Sequence, residues 1–103
     1  MAKFEVGQLV RHKRYNYRGV VVSWDAACQA DDDWYYGNQS QPDRDQPWYH
    51  VIVHGGRQNT YAAEENLFED TSGEQVVHPL VTQIFSSFDQ GRYTLRKELI
   101  RRA

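Results

Sequence analysis

The fold is decided by the stretch WYHVIVHGGR, residues 48–57. Its β-branched and aromatic residues alternate between two faces over residues 48–54, which predicts a β-strand. The pair Gly55-Gly56 tolerates the positive φ angles of a tight turn, so we expect the chain to reverse there as a hairpin. Residues 58–63 then form a second strand that pairs antiparallel with the first.

Further strands are predicted on both sides of this hairpin. Residues 8–12 form the first strand of the chain, and residues 17–24 form the second. The uninterrupted run Val20-Val21-Val22 has two interpretations: the second strand is buried on both faces, or it bends at Gly19 so that each face meets a core at a different point. Residues 75–77 form a final edge strand.

Short helical pieces are also predicted. The polar segment 25–47 is one long loop excursion, in which Asp31-Asp32-Asp33 cap a short helical turn. Residues 64–68 leave the sheet as a turn or short helical piece. Pro79 suits the first position of a helix that residues 89–91 end. The apolar face of this helix comprises Leu80, Ile84, Phe85 and Phe88.

These elements predict a mostly β fold, a small SH3-like antiparallel β-barrel with one long loop excursion and one short C-terminal helix. A chain of 103 residues, 40% of them hydrophobic, is sized for one core. Residues 1–103 are therefore expected to form a single domain, with residues 95–103 as a basic tail. The expected core comprises Val10, Val20, Val22, Tyr49, Val51, Val53 and Leu67.

The single cysteine, Cys28, rules out an internal disulfide framework and fits a reducing compartment. No run of about 18 apolar residues occurs, and the first residues lack the apolar stretch of a signal peptide. We therefore expect a cytoplasmic protein without a membrane segment, whose oligomeric state stays open.

The net charge of −2 hides a strong segregation of charge along the chain. Residues 1–18 carry five bases against one carboxylate, and residues 91–103 again carry five against one. Residues 19–90 hold twelve carboxylates against Arg44 and Arg57. Two interpretations remain open: ordinary solvated charged faces, or basic termini that meet on one face as an anion-binding patch.

Metal binding and catalysis find little support in the sequence. The residues able to ligate a metal are His12, Cys28, His50, His54 and His78. Only His50 and His54 are closely spaced, and four residues along a strand place them about 13 Å apart, so they cannot share one ion. Phosphate loops and nucleophile elbows are also missing. We expect no metal, no cofactor, no catalytic residue and no enzyme activity.

Aromatic residues are unusually frequent, with three Trp, seven Tyr and four Phe. A core of this size does not need so many, so several are expected at the surface. Trp34, Tyr35 and Tyr36, in the acidic excursion, are the candidates for a protein-binding patch. The alternative is that they fold back as a lid over an open end of the barrel.

The chain contains the strings VRH at residues 10–12, YRGVV at residues 17–21, PWYH at residues 47–50 and AEENL at residues 63–67, and the last two are specific in combination. They resemble the hemimethylated-DNA-binding family, also called YccV-like or heat-shock protein Q. The resemblance implies a small SH3-like barrel, DNA binding with a preference for hemimethylated sites, and a link to heat-shock proteolysis in bacteria. It also implies that related domains in larger eukaryotic proteins act in protein contacts.

The candidates for DNA binding lie near the amino terminus, where cations can neutralise phosphates while aromatic rings pack on sugar or base. They are Arg11, His12, Lys13, Arg14, Tyr15, Tyr17 and Arg18. Discrimination of hemimethylated double-stranded DNA needs an apolar contact with the adenine methyl group on one strand. It also needs a polar acceptor for the free amino group on the other strand. The basic tail is an additional candidate.

The competing function is a protein-binding adaptor or specificity factor for an ATP-dependent protease, with no direct role at DNA. A pI near 6.0 favours it, because dedicated DNA-binding domains are usually basic. Since the excursion carries charges that repel phosphates, we expect the DNA-binding and protein-binding surfaces to be separate. Replacing Trp34 and Tyr35 by Ala should then leave duplex binding within about threefold.

Overall fold

Residues 2–100 are described by the computed structural model, and they form two antiparallel β-sheets. The strands are β1 (Leu9–His12), β2 (Arg18–Asp25), β3 (Trp48–Val53), β4 (Asn59–Ala63), β5 (Leu67–Glu69), β6 (Phe85–Asp89) and β7 (Arg92–Leu95). The larger sheet has the order β4-β3-β2-β1-β5, and the smaller one is the hairpin β6-β7. The helical pieces are α1 (Asp32–Tyr36), α2 (Val81–Ile84) and two 3₁₀ turns, Glu64–Asn66 and Lys97–Leu99.

The predicted hairpin of β3 and β4 is confirmed. The two strands pair antiparallel, and Gly55 in the turn has a φ of 95°. The capped helical turn in the excursion also forms, because Asp31 Oδ1 accepts a hydrogen bond of 2.8 Å from the backbone N–H of Trp34. Local sequence therefore predicted both the hairpin and the capped helical turn.

The central strands are buried on both faces, which is one of the two structures that the run of valines in β2 predicted. Val21, Tyr49 and Val51 belong to the core on one face of the sheet, whereas Val20 belongs to the core on the other. A β-bulge shifts the register of β2 against β3 after Val21. Of the predicted core residues, only Val22 is no more than partly buried.

The larger sheet curls but does not close. β4 and β5 are its opposite edges, yet only the 3₁₀ turn Glu64–Asn66 joins them, so the ends of the two edges lie close together. Within residues 2–100, no hydrogen-bonded ladder connects β4 to β5. The mostly β fold is thus confirmed, and the closure expected of an SH3-like barrel is not observed. None of the helices in this range has the length and hydropathy needed to span a membrane.

The predicted C-terminal helix is wrong beyond its first turn. α2 is followed directly by β6, which pairs with β7. Phe85 and Phe88 both contact Tyr93, with ring centroids 5.0 and 4.5 Å away, because a register shift in β6 brings both rings to the same side. Gln90 and Gly91 have φ angles of 51° and 76°, the geometry of a tight hairpin turn.

The predicted edge strand at residues 75–77 is also wrong. This segment is irregular, and the backbone N–H of Val76 donates to the Tyr93 hydroxyl at 2.9 Å instead of to a strand. The fifth strand of the sheet is β5, in a region expected to leave the sheet. It forms because Leu67 is buried in the core and its backbone pairs with His12 in β1.

Candidate functional site

The turn between β1 and β2 is held together by His12. Its ring is buried, and its Nδ1 accepts hydrogen bonds of 3.1 Å from the backbone N–H groups of Arg14 and Tyr15. The ring also lies 4.8 Å from that of Tyr15 and 5.1 Å from that of Tyr17. Burial and then the positive charge of Arg14 lower the pKa of His12, which keeps Nδ1 unprotonated and able to accept. His12 therefore positions the turn.

This arrangement predicts that acid weakens the protein through His12. Folding lowers its pKa, so the unfolded chain binds the proton more readily, and the free energy of unfolding falls as the pH drops from 6.5 towards the folded pKa. His12→Asn offers a side-chain acceptor to the same N–H groups and does not titrate. Urea unfolding at about pH 7.5 and about pH 5.5 should show a smaller loss of stability in H12N than in the parent. Equal losses would rule out this role.

Two of the four cations predicted to bind DNA already form bonds with other residues of the protein. Arg18 Nε donates to Asp70 Oδ2 at 2.8 Å, and the Arg18 side chain is 13% exposed. Arg11 Nη1 donates to the carbonyl and side-chain oxygens of Asn16 at 3.3 and 3.1 Å. The exposed cations of this region that form no ion pair with any residue from 2 to 100 are Lys13 and Arg14.

A groove with aromatic walls opens beside the turn, and its volume is about 430 Å³. The β1–β2 turn contributes Tyr15 and Tyr17, β4 contributes Tyr61, and α1 contributes Trp34. We call this the aromatic groove. Its full lining is His12, Tyr15, Tyr17, Trp34, Asn38, His50, Asn59, Thr60, Tyr61 and Ala62.

The three aromatics of the excursion have different environments. Tyr35 is buried against Trp48, and its hydroxyl donates to the carbonyl of Pro42 at 2.7 Å, so its predicted exposure is wrong. It is buried because one face of α1 packs on the end of β3. Tyr36 is 67% exposed and does not line the aromatic groove. Trp34 is 40% exposed.

Trp34 lines the aromatic groove next to Tyr61. Its ring lies 5.7 Å from that of Tyr61, with an angle of 60° between the planes. Tyr15 and Tyr17 line the same groove. Trp34, predicted for protein binding, therefore lines the same groove as Tyr15 and Tyr17, predicted for DNA binding.

Next to the aromatic groove lies a carboxylate, that of Asp25 at the end of β2. The Tyr61 hydroxyl donates to Asp25 Oδ2 at 2.6 Å and accepts from the backbone N–H of Gln29 at 3.0 Å. His50 Nε2 lies 3.4 Å from the same carboxylate oxygen. Burial, followed by the bond to Asp25, raises the pKa of Tyr61 to about 12, so its hydroxyl remains a donor. A second cavity, of about 310 Å³, opens here next to Trp34; we call it the Asp25 cavity.

Sequence reasoning did not single out Tyr61 or His50 as site residues. The two are cross-strand partners in the β3–β4 hairpin, and their rings lie 4.4 Å apart. The hairpin register, once predicted, would have paired them on the face opposite the core of Val51. Asn38, which follows α1, had no such signal.

The predicted basic tail is only partly described. Arg96 Nε donates to the carbonyl of Thr82 at 2.9 Å, and Lys97 begins a 3₁₀ turn. Arg101 and Arg102 lie outside the described residues.

Side chains of the types that bind metals do not converge in the part of the chain that the structure describes. It contains no group of three or more His, Cys, Asp and Glu residues placed to hold a metal ion. Cys28 is buried and packs with Tyr35, Trp48 and Ala63.

Known proteins share this domain. The family described as "Hemimethylated DNA-binding protein YccV like" matches residues 2–92. The chain is also similar to F-box only protein 21 of Pongo abelii, Homo sapiens and Mus musculus, at 34% identity over 99 residues in each case. These alignments cover 93% of this chain and 16% of each relative, so the chain spans a small part of the length of the curated relatives it matches. The chain belongs to the YccV-like family of hemimethylated DNA-binding proteins.

Proposed function

We propose that this chain is a DNA-binding module without catalysis of its own, which prefers hemimethylated double-stranded DNA and holds one base in the aromatic groove. The observation that carries the proposal is that the exposed cations Lys13 and Arg14 lie in the turn that also supplies Tyr15 and Tyr17 to the groove. Cations at the rim bind the phosphates of a strand whose base stacks on the rings inside. Family membership supports the same ligand.

The size of the groove restricts which part of the DNA enters it. A volume of about 430 Å³ accommodates a single base, whereas a double helix is far too wide. The base must therefore leave the stack, which costs a few kcal/mol. Stacking on an aromatic ring contributes about 1–3 kcal/mol per base and offsets much of this cost.

The lining of the groove suits a methylated adenine. The rings of Tyr15, Tyr17 and Trp34 line the groove and offer apolar contacts to the methyl group, and the side-chain amides of Asn38 and Asn59 offer donors and acceptors to the base edge. An unmethylated base loses the apolar contact, which is worth about 1 kcal/mol.

Preference over fully methylated DNA requires an acceptor for the free amino group of the other strand. Glu65 shares a cleft with Arg14 next to the rim, and it is the acceptor we assign. A second methyl group would remove a hydrogen from that amino group and crowd the carboxylate.

The salt dependence of binding gives a prediction for Lys13 and Arg14. Two phosphate contacts correspond to a slope of about −2 in log K against log salt, half of that expected if Arg11 and Arg18 also contacted phosphates. The variant Lys13→Ala/Arg14→Ala should bind every duplex about tenfold more weakly at low salt, with a slope near zero. Fluorescence anisotropy of labelled duplexes at several salt concentrations measures both quantities.

The matched control removes two exposed cations that do not line the groove, Lys3 and Arg57. Lys3→Ala/Arg57→Ala should keep the slope of the parent. If Lys13→Ala/Arg14→Ala also keeps it, the phosphates bind elsewhere and this mode of DNA binding fails.

A second candidate function is that of an adaptor for an ATP-dependent protease in a cytoplasmic heat-shock or stress response. It is favoured by the exposed ring of Tyr36 within a segment rich in carboxylates. The similarity to a small part of F-box only protein 21 also fits an interaction module inside longer chains. This candidate is preferred if the parent protein binds no duplex at low salt.

A further inference from the structure

We propose that the Asp25 cavity binds the ammonium group of a lysine side chain, methylated or not, on a partner polypeptide. The proposal goes beyond DNA binding and does not depend on it. The phosphate contacts proposed above lie at Lys13 and Arg14, whereas the Asp25 cavity carries a carboxylate that repels phosphate.

The walls of the cavity are aromatic. Trp34 and Tyr61 meet at an angle, and the ring of His50 lies beside Tyr61. A cation within about 6 Å of a ring face is attracted by the π-system, most strongly by Trp. The same protein already uses this contact nearby, where the Arg44 guanidinium lies 4.6 Å from the centre of the Tyr35 ring.

Asp25 supplies the negative charge for such a cation. Its Oδ2 receives the Tyr61 hydroxyl and faces His50 Nε2, while no donor from residues 2–100 is bonded to its Oδ1. The side chain is 32% exposed, so the carboxylate is reachable from solvent. The residues that line the cavity, none of them a lysine or arginine, are Asp25, Gln29, Ala30, Trp34, His50 and Tyr61.

The charges next to the cavity do not cancel this preference. Arg44 donates to the carbonyl of Ala30 and does not line the cavity, and it forms an ion pair with Asp32, 3.3 Å away. Asp31 and Asp33, at the start of α1, are exposed and add negative potential. A cation is therefore favoured at this end of the groove and an anion is disfavoured.

The geometry of Asp25 favours lysine over arginine. A guanidinium binds a carboxylate best through two parallel bonds that use both oxygens, and Tyr61 already occupies one of them. The compact lysine ammonium needs only one acceptor, and methyl groups on it would contact the rings of Trp34 and Tyr61.

The test uses the full chain and a short capped peptide with one lysine between glycines, prepared with free, trimethylated or acetylated lysine. Binding is followed by NMR through the indole N–H of Trp34. The free and trimethylated peptides should shift this resonance, whereas the acetylated peptide, which has lost the charge, should not. Asp25→Asn keeps an acceptor for Tyr61 and should weaken binding of the free-lysine peptide at least about tenfold.

The matched control is Asp45→Asn, which removes the same charge from the excursion outside the cavity and should bind like the parent. Equal binding of the acetylated peptide, or unchanged affinity in D25N, would overturn the proposal. If D25N has a lower melting temperature than the parent, Trp34→Leu is used in its place. This variant should abolish the shifts of the Tyr61 ring resonances on addition of peptide. If these shifts persist, the proposal is overturned. A failure of the DNA proposal is distinguishable from a failure of this one, because the Lys13→Ala/Arg14→Ala variant should bind the peptide like the parent.

Discussion

Replacing Trp34 by Ala is expected to lower the affinity for a hemimethylated duplex about tenfold. Trp34 is the aromatic wall that α1 contributes to the groove, and its ring is exposed enough to stack on a base. Loss of one stacking partner removes about 1–3 kcal/mol of binding free energy. Fluorescence anisotropy with the parent and W34A on the same duplex measures the difference.

This expectation replaces the threefold limit that the sequence alone predicts for the Trp34 and Tyr35 double variant. Tyr35 is buried, so its replacement would disturb folding as well as binding. Tyr36→Ala is the matched control, because Tyr36 is a more exposed neighbour on the same helix and lies outside the groove. Parent-like DNA binding in W34A, with an unchanged melting temperature, would mean that no base enters the groove.

Arg18→Ala is expected to lower the free energy of unfolding by about 2–3 kcal/mol. The Asp70 side chain is 5% exposed, and Arg18 is its charged partner at 2.8 Å. Without Arg18, the carboxylate stays in a poorly hydrated position, and the nearest remaining cation, Arg11, is 3.9 Å away and more exposed. Arg18 also donates to the carbonyl of Glu74 at 2.6 Å, so the loop after β5 loses a second contact. Urea unfolding near pH 7 measures the loss.

The effect of Arg18→Ala should depend on pH. Burial alone raises the pKa of Asp70, but hydrogen bonds from Arg18 and Ser72 outweigh it, and the pKa lies below its ordinary value of 3.8. The stabilisation is therefore fully present above this value and is lost as the pH falls through the lower folded pKa. The difference between R18A and the parent should shrink in acid.

The control for this prediction is Arg11→Ala. Arg11 Nη2 is 3.9 Å from Asp70, and its side chain is 28% exposed, so its loss should cost below about 1 kcal/mol. If R18A is as stable as the parent at neutral pH, the ion pair does not stabilise the fold. Arg18 would then again be a candidate for phosphate binding.

Local sequence correctly predicted the strands and helices whose residue pattern fits only one kind of secondary structure. The alternation in β3 and the carboxylate of Asp31 before α1 each specify their structure within a few residues. The helical face predicted from residues 84, 85 and 88 was wrong, because the spacing of these residues fits both a helical face and a bulged strand. The choice is made by Tyr93 in β7, against which Phe85 and Phe88 pack.

The candidate site was predictable only in its parts. Lys13, Arg14 and Trp34 were named from their types and neighbours. The sequence could not show that Arg18 is no DNA-binding candidate, because its partner Asp70 lies 52 residues further along the chain. The meeting of α1 with the β1–β2 turn depends on how the excursion folds across the sheet, which no local pattern encodes. The groove therefore emerges only from the structure.

The central claim is tested most directly by the affinity of the parent protein for one duplex sequence in unmethylated, hemimethylated and fully adenine-methylated forms, at two salt concentrations. We predict that the hemimethylated duplex binds about fivefold more tightly than either of the others at both salt concentrations. Only this duplex offers both a methyl group to the aromatic groove and a free amino group to Glu65. Equal affinities for the three duplexes, or no binding at low salt, would contradict the account.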